Sequence, residues 1–150
     1  MNDIGVRQAG LADVDSIGLL FDKYRQFYGR ESNIDAARLF LTSRFEHGQS
    51  TILIAQNRDS IVGFTQLFPS FSSVSLARTF ILNDLYVNED FRCKGVGRAL
   101  LDAAKNYAVA VGAIRLTLST AVDNSTAQAL YESTGWQRDK NFFVYHLPVT

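Results

Sequence analysis

The sequence predicts an α+β domain built on one mixed sheet flanked by helices, and three observations support this. Three β-rich runs follow one another in the middle of the chain, apolar residues recur at helical spacing on both sides of them, and glycine or asparagine marks most boundaries. The predicted order is strand, helix, helix, three strands, helix, strand, helix, strand. That order mixes antiparallel neighbours with crossovers, whereas a doubly wound nucleotide fold would alternate strand and helix from the start.

Ile4, Val6 and Gln8 mark the first strand. Asp13 or Asp15 can cap the next helix, where Val14, Ile17, Leu20, Phe21, Tyr24 and Tyr28 share helical spacing and Gly29 supplies the stop. A second helix is predicted from Asn33 or Asp35, through Ala36, Leu39, Phe40 and Phe45, to His47-Gly48. "TILIAQ", "SIVGFTQLFP" and "TFILNDLYV" then read as three antiparallel strands, with "NRDS" turning the first pair. The serine-rich "SFSSVSLA" reads as a loop long enough to be mobile or functional.

From Val96 the pattern turns helical: Leu100, Ala104, Tyr107, Ala108 and Val111 fall on its face and Gly112 ends it. "AIRLTLST" alternates as a strand, with Ile114, Leu116 and Leu118 on one side. A short helix from about Ser125 is capped by Asn124 or Ser125 and stopped by Gly135, and "NFFVYHL" closes the chain as a last strand. That strand's edge could pair with another copy, which makes a homodimer an expectation.

A chain of 150 residues, 47% hydrophobic and 20% charged, fits one folded domain spanning residues 1–150. Lysine plus arginine equals aspartate plus glutamate at 15 each, so the global basic excess that drives nucleic-acid binding is missing. No apolar run approaches bilayer length, and "MNDIGVRQAG" lacks both parts of a signal peptide, so a cytoplasmic protein without membrane contact is expected. One cysteine, Cys93, and two distant histidines, His47 and His146, offer neither a disulfide nor a metal-ligand spacing, and no metal is expected.

The densest signal is "RCKGVGR", residues 92–98, at the predicted helix start. A helix N-terminus presents unpaired N–H groups and a partial positive charge, so anions are stabilised there. Gly95 and Gly97 let the backbone bend and approach a ligand, while Arg92, Lys94 and Arg98 add charge. A dinucleotide fingerprint would need glycine where Leu100 stands, and no Walker loop occurs. Taken alone, the turn supports either a phosphate cradle or a purely structural turn with basic residues for solubility.

"LNDLYVNEDFRCKGVGRALL" followed by "DNSTAQALYESTGW" resembles the GNAT superfamily of acetyl-CoA-dependent N-acetyltransferases. That superfamily carries [RQ]-x-x-G-x-[GA] after a strand, and later a helix motif running from asparagine to tyrosine. The resemblance covers residues 79–136 well and the whole element order loosely. It implies that N–H groups of Arg92, Cys93, Lys94, Gly95, Val96, Gly97 and Arg98 bind the pyrophosphate of coenzyme A. It also implies that the backbone of Leu85, Tyr86 and Val87 pairs with the pantetheine arm and polarises the thioester carbonyl. Asn124 would hydrogen-bond the pantetheine or an active-site water besides capping its helix.

Acetyl transfer needs a neutral amine and a proton for the departing thiolate. Tyr131, seven residues after Asn124, is the candidate acid, although Ala127, Leu130 and Thr134 on its helical face make core packing the competing reading. Asp84 interrupts an apolar strand, which is costly unless it is paired, solvated or protonated. It is the candidate for binding the ammonium group and taking its proton directly or through water, against a salt bridge to an arginine. Asn83 stands where the histone-and-polyamine branch that "NDLYV" resembles carries an acid, so direct base catalysis by that neighbouring position is lost.

Cys93 has no histidine beside it to serve as base, which argues against an acyl-enzyme. Tyr28 and Glu31 in "YRQFYGRESN", together with Asn83, are the candidate acceptor contacts, an aromatic and acidic set suited to a cationic amine. A small primary amine is the expected acceptor, with a protein lysine or N-terminus as the alternative. A non-catalytic acetyl-CoA-binding module is the competing function class.

Overall fold

A computed structural model describes residues Asp3–Thr150. Two compact units divide the chain after Ser119. The first contains strands β1 (Ile4–Gln8), β2 (Thr51–Asn57), β3 (Ser60–Ser72), β4 (Ala77–Val87) and β5 (Leu116–Thr117), with helices α1 (Val14–Phe27), α2 (Ile34–Glu46) and α3 (Val96–Ala110). They form one sheet in the order β1-β2-β3-β4-β5, antiparallel through β4 and parallel between β4 and β5. A parallel neighbour needs a crossover, and α3 supplies it. The second unit holds helix α4 (Ser125–Ser133). The α+β class and the mixed sheet are as the sequence predicts.

Both faces of the sheet carry helices. Ile17, Leu20 and Phe21 of α1 and Leu41 of α2 pack on Ile52, Ile54 and Phe64, all buried. On the other face the Phe80 ring meets Tyr107 of α3 at 5.6 Å, and Tyr107 shares a 3.1 Å hydrogen bond with Thr51. Gly63 marks the closest approach there. A Cβ on it would lie 3.1 Å from the Tyr86 carbonyl oxygen and 3.3 Å from both Val96 and Leu100.

Two buried or half-buried carboxylates tie the chain locally. Asp13 accepts a two-pronged bond from Arg7 (2.8 and 2.9 Å) and another from the Gly10 N–H at 2.8 Å. The Arg7 bonds, then that N–H, hold its carboxyl below the ordinary range. Asp22, 3% exposed, accepts from Ser32 Oγ at 2.6 Å, the Asn33 N–H at 2.7 Å and Gln26 Nε2 at 3.0 Å. Burial favours the neutral acid, but the bonds from Ser32, Asn33 and Gln26 and the charge of Arg25 together hold it below the usual carboxylate range. Asp22 thereby fastens the connection from α1 to α2, and Asn33 caps α2 through the Ala36 N–H as predicted.

Three expectations need correction. "SFSSVSLA" is strand at both ends and turn only in its middle: Ser70, Phe71 and Ser72 pair with Thr79, Arg78 and Ala77, leaving a tight turn at residues 73–76 in which the Leu76 N–H bonds Ser73. A continuous ladder to β4 outweighs the weak β-propensity of serine. The strand in "AIRLTLST" shrinks to Leu116–Thr117, because only this stretch finds partners, at Phe80 and Ile81. "NFFVYHL" forms no strand and lies outside the sheet order; Phe143 and Tyr145 are each 90% exposed. Alternation and aromatic content do not make a strand without a ladder partner.

Among the described residues no helix is long and apolar enough to cross a membrane. Asp22→Ala should lower unfolding stability at pH 7 by about 2 kcal/mol, since it strands donors that now meet a charged acceptor. Because the folded pKa of Asp22 is lowered, its contribution is complete above about pH 4 and is lost as pH falls through the folded value. Chemical denaturation of both proteins from pH 7 to about pH 2 should show the difference shrinking in acid; a constant difference would contradict this account.

Candidate active site

Strand β4 is not a regular partner of β3. Gln66 pairs with Asp84 but Leu67 pairs with Leu82, so Asn83 is an extra residue on β4, a β-bulge. Each bulge reverses the sense of alternation beyond it. Phe80 accordingly meets α3, whereas Tyr86, also an even step along the strand, meets Tyr24 of α1 at 6.0 Å. Asp84 shares the face of Tyr86, and Gln66 that of Phe64.

The carboxylate of Asp84 is 5% exposed and is held by two amides. Gln66 Nε2 donates to Oδ2 at 2.6 Å and Asn83 Nδ2 donates to Oδ1 at 3.1 Å. Thr65 Oγ1 donates to the Asp84 backbone carbonyl at 2.8 Å. The arginine salt bridge weighed for this residue is not formed; among the described residues no cation pairs with it. Gln66 is fully buried, and its Oε1 has no hydrogen-bond partner among the described residues. An orphaned buried carbonyl costs about 1–3 kcal/mol.

The open edge of β4 lies beside this pair. Ladder pairing to β5 stops at Ile81, so along Leu85, Tyr86 and Val87 only the β3 side of the backbone is laddered. Beyond the strand, Asn88 caps a short 3-10 turn, Glu89–Phe91, and the chain enters α3 through residues 92–95. The Arg92 N–H bonds Glu89 at 3.4 Å, its Nε bonds the Val87 carbonyl at 3.0 Å, and its guanidinium lies 5.3 Å from the Tyr86 ring. Arg92 therefore ties the turn to the strand end. Lys94 Nζ folds back onto the Asp90 carbonyl at 3.1 Å and over the Phe91 ring.

Gly95 adopts φ +82°, and a Cβ there would meet no atom within 4 Å. The first intrahelical bond after it runs from the Ala99 N–H to the Gly95 carbonyl at 3.0 Å, so the N–H groups of Val96 and Gly97 face out of the helix start. Cys93 is exposed and also left-handed, at φ +60°, a conformation that side chains with a Cβ rarely hold. Its thiol sits in the turn without a histidine in the neighbouring sequence.

Tyr28 is 63% exposed and stacks edge-on with Tyr24 at 5.2 Å. Because Tyr24 also meets Phe64 and Tyr86, an aromatic chain links the α1 end to the Asp84 face. Glu31 is exposed in the same connection that Asp22 fastens. In the second unit Asn124 caps α4 through the Ala127 N–H at 3.2 Å, and the half-buried Tyr131 ring lies 6.1 Å from Trp136. Among the described residues no group of three His, Cys, Asp or Glu side chains is placed to hold a metal.

Sequence reasoning missed Gln66 and Asp22. A lone amide inside "SIVGFTQLFP" is a polar break of the same kind as Asn83-Asp84, and that is the signal that would have found the first.

Residues 18–136 match the sequence model described as the Acetyltransferase (GNAT) family. The chain is 47% identical over 146 residues to the uncharacterized N-acetyltransferase YhfO of Bacillus subtilis (strain 168), covering 97% of this chain and 98% of that protein. It is 30% identical over 135 residues to a probable acetyltransferase of Haemophilus influenzae, covering 87% and 88%. A crystal structure of a probable acetyltransferase superposes with a TM-score of 0.91 at 43% identity, over 97% of this chain and 98% of the other.

Cys93→Gly should raise unfolding stability by about 0.5–1 kcal/mol, because relief of the left-handed strain exceeds the entropy that glycine adds to the unfolded chain. Thermal denaturation checks this, and a lowered midpoint would show that Cys93 is not strained.

Proposed function

This chain belongs to the GNAT family of acetyltransferases, and from that premise we propose that it transfers the acetyl group of acetyl-CoA directly to a primary amine held at Asp84. The observation that carries the amine site is the buried Asp84 carboxylate with amide partners and, among the described residues, no cation. A buried charge is expensive unless a counter-charge joins it, and an ammonium group supplies one. The aromatic chain Tyr28, Tyr24 and Tyr86 adds ring faces that favour a cation. Asn83 and Glu31 complete the acceptor contacts in this reading.

The family uses acetyl-CoA as its co-substrate, and the residues present fit it. The backbone edge of Leu85, Tyr86 and Val87 offers partners to the pantetheine amides, as a strand edge does for an extended chain. The turn from Arg92 to Arg98, with open space at Gly95 and outward N–H groups at the helix start, suits pyrophosphate. Asn124 would add a side-chain hydrogen bond.

Acetyl-CoA supplies the activated thioester. The ammonium proton passes to Asp84, directly or through a water, and on to solvent; the freed lone pair forms the new C–N bond, the nitrogen then gives up its second proton by the same route, and the C–S bond breaks. Tyr131 Oη gives its proton to the departing thiolate, the second proton lost by the nitrogen restores the phenol through solvent, and the first is the one released. β4 N–H groups stabilise the negative charge that develops on the carbonyl oxygen. A protein lysine or N-terminus carries the same chemistry, and the acceptor screen below separates it from a small amine. The exposed side chains of Phe142, Phe143 and Tyr145 support a homodimer, which sedimentation equilibrium would register as twice the monomer mass.

A panel of small primary amines and lysine peptides with acetyl-CoA, read by thiol release and product mass, should return an N-acetylated product. Tyr131→Phe should lower kcat about 100-fold while leaving the KM for acetyl-CoA within about twofold. Asp84→Asn should raise the amine KM more than the acetyl-CoA KM. Unchanged kcat in Tyr131→Phe across the panel would remove the acid role.

A further inference from the structure

We infer that Gln66 is a substrate-binding residue whose orphaned Oε1 takes the second N–H of the acceptor nitrogen, so that the site selects primary over secondary amines. The inference rests on Asp84 as the amine-binding group. The Gln66 amide turns its Nε2 toward Asp84 and donates to Oδ2 at 2.6 Å. That orientation forces Oε1 away from Asp84, and in the fully buried side chain it finds no donor. The sheet holds it there: Gln66 and Asp84 are register partners at the bulge, so the amide cannot leave without breaking the bond to Oδ2.

The missing partner is a donor, and the neighbouring carboxylate makes a nitrogen that carries several N–H groups the fitting one. A neutral primary amine has two N–H bonds and one lone pair. With one N–H on Asp84 and the other on Gln66 Oε1, the lone pair is the remaining direction, available for the thioester carbon. Each carboxylate oxygen has two acceptor positions, so Asp84 can take the amine while keeping Gln66. Asn83 is exposed, and its amide on Oδ1 can swing to solvent as the amine arrives. After deprotonation a secondary amine has one N–H and leaves one buried acceptor unpaired. A site built around paired polar groups discriminates strongly against such an analogue.

The test uses matched probes: benzylamine with N-methylbenzylamine, and Nα-acetyl-lysine amide with its Nε-methyl form. Initial rates of thiol release should give kcat/KM for the primary member about tenfold or more above the methylated one in the wild type. In Gln66→Met that ratio should fall toward one, mainly through loss on the primary amine, with the acetyl-CoA KM unchanged. Gln66→Asn, which withdraws the amide by one methylene, should lower the ratio as well and serves if the methionine variant does not fold. A wild-type ratio near one overturns the inference without any variant. So does an unchanged ratio in the Gln66 variants with both rates reduced equally, which would make Gln66 only a support for Asp84. Wild-type kcat/KM in Asp84→Asn would instead overturn the Asp84 reading beneath it.

Discussion

Strand β4 holds one residue more than β3 can match, and the surplus falls at Asn83. Regular alternation would send Asp84 to the same face as Leu82 and Phe80, into the layer that α3 covers with Tyr107. The surplus residue turns it to the face of Tyr86 and Tyr24 instead. A carboxylate among Phe80, Val96 and Leu100 would be unpaired and expensive, whereas on the α1 face it meets the amide of Gln66. The sheet stays intact on both sides of the interruption, so the strand supplies its core residues and its polar residues to different layers.

The same interruption explains why two polar side chains are tolerated in the centre of an apolar sheet. Asp84 and Gln66 satisfy each other in part, and Thr65 and Asn83 add donors to the Asp84 backbone and side chain. What remains unsatisfied is specific: among the described residues the Asp84 carboxyl has no cationic partner and the Gln66 amide carbonyl has no donor. Both deficits are of the kind that an amine removes. A core selected for stability alone would replace the pair with apolar residues, since buried polar groups that are only half satisfied cost more than they return.

The turn into α3 has a different economy. Arg92 and Lys94 spend their cationic groups on the Val87 and Asp90 carbonyls, which fixes the path of the backbone rather than leaving two mobile charges. What the turn leaves toward an anion is then the backbone itself: N–H groups without intrahelical partners at the helix start, and open space at Gly95. Asp22 plays a comparable part at the other end of α1, fixing through Ser32 and Asn33 the connection that carries Tyr28 and Glu31.

Local signals in the sequence located α1, α2, α3 and α4 with their stops and the Asn33 and Asn124 caps, because these are written within a few residues of each boundary, whereas Asp13, expected to cap α1, makes no side-chain cap bond and binds Arg7 and the Gly10 N–H instead. The glycine turn and the Asn124-to-Tyr131 spacing likewise made the family legible. Strand extents were not local: the ends of the serine run became strand because they pair across the turn at residues 73–76, and "NFFVYHL" stayed outside the sheet for want of a partner. Asn83 and Asp84 stand out in the sequence as a polar break, but Gln66 was missed, and the direction of Asp84 and its pairing with Gln66 were decided by the register at Asn83. A one-residue surplus exists only relative to a neighbouring strand, and so it cannot be read from either strand alone.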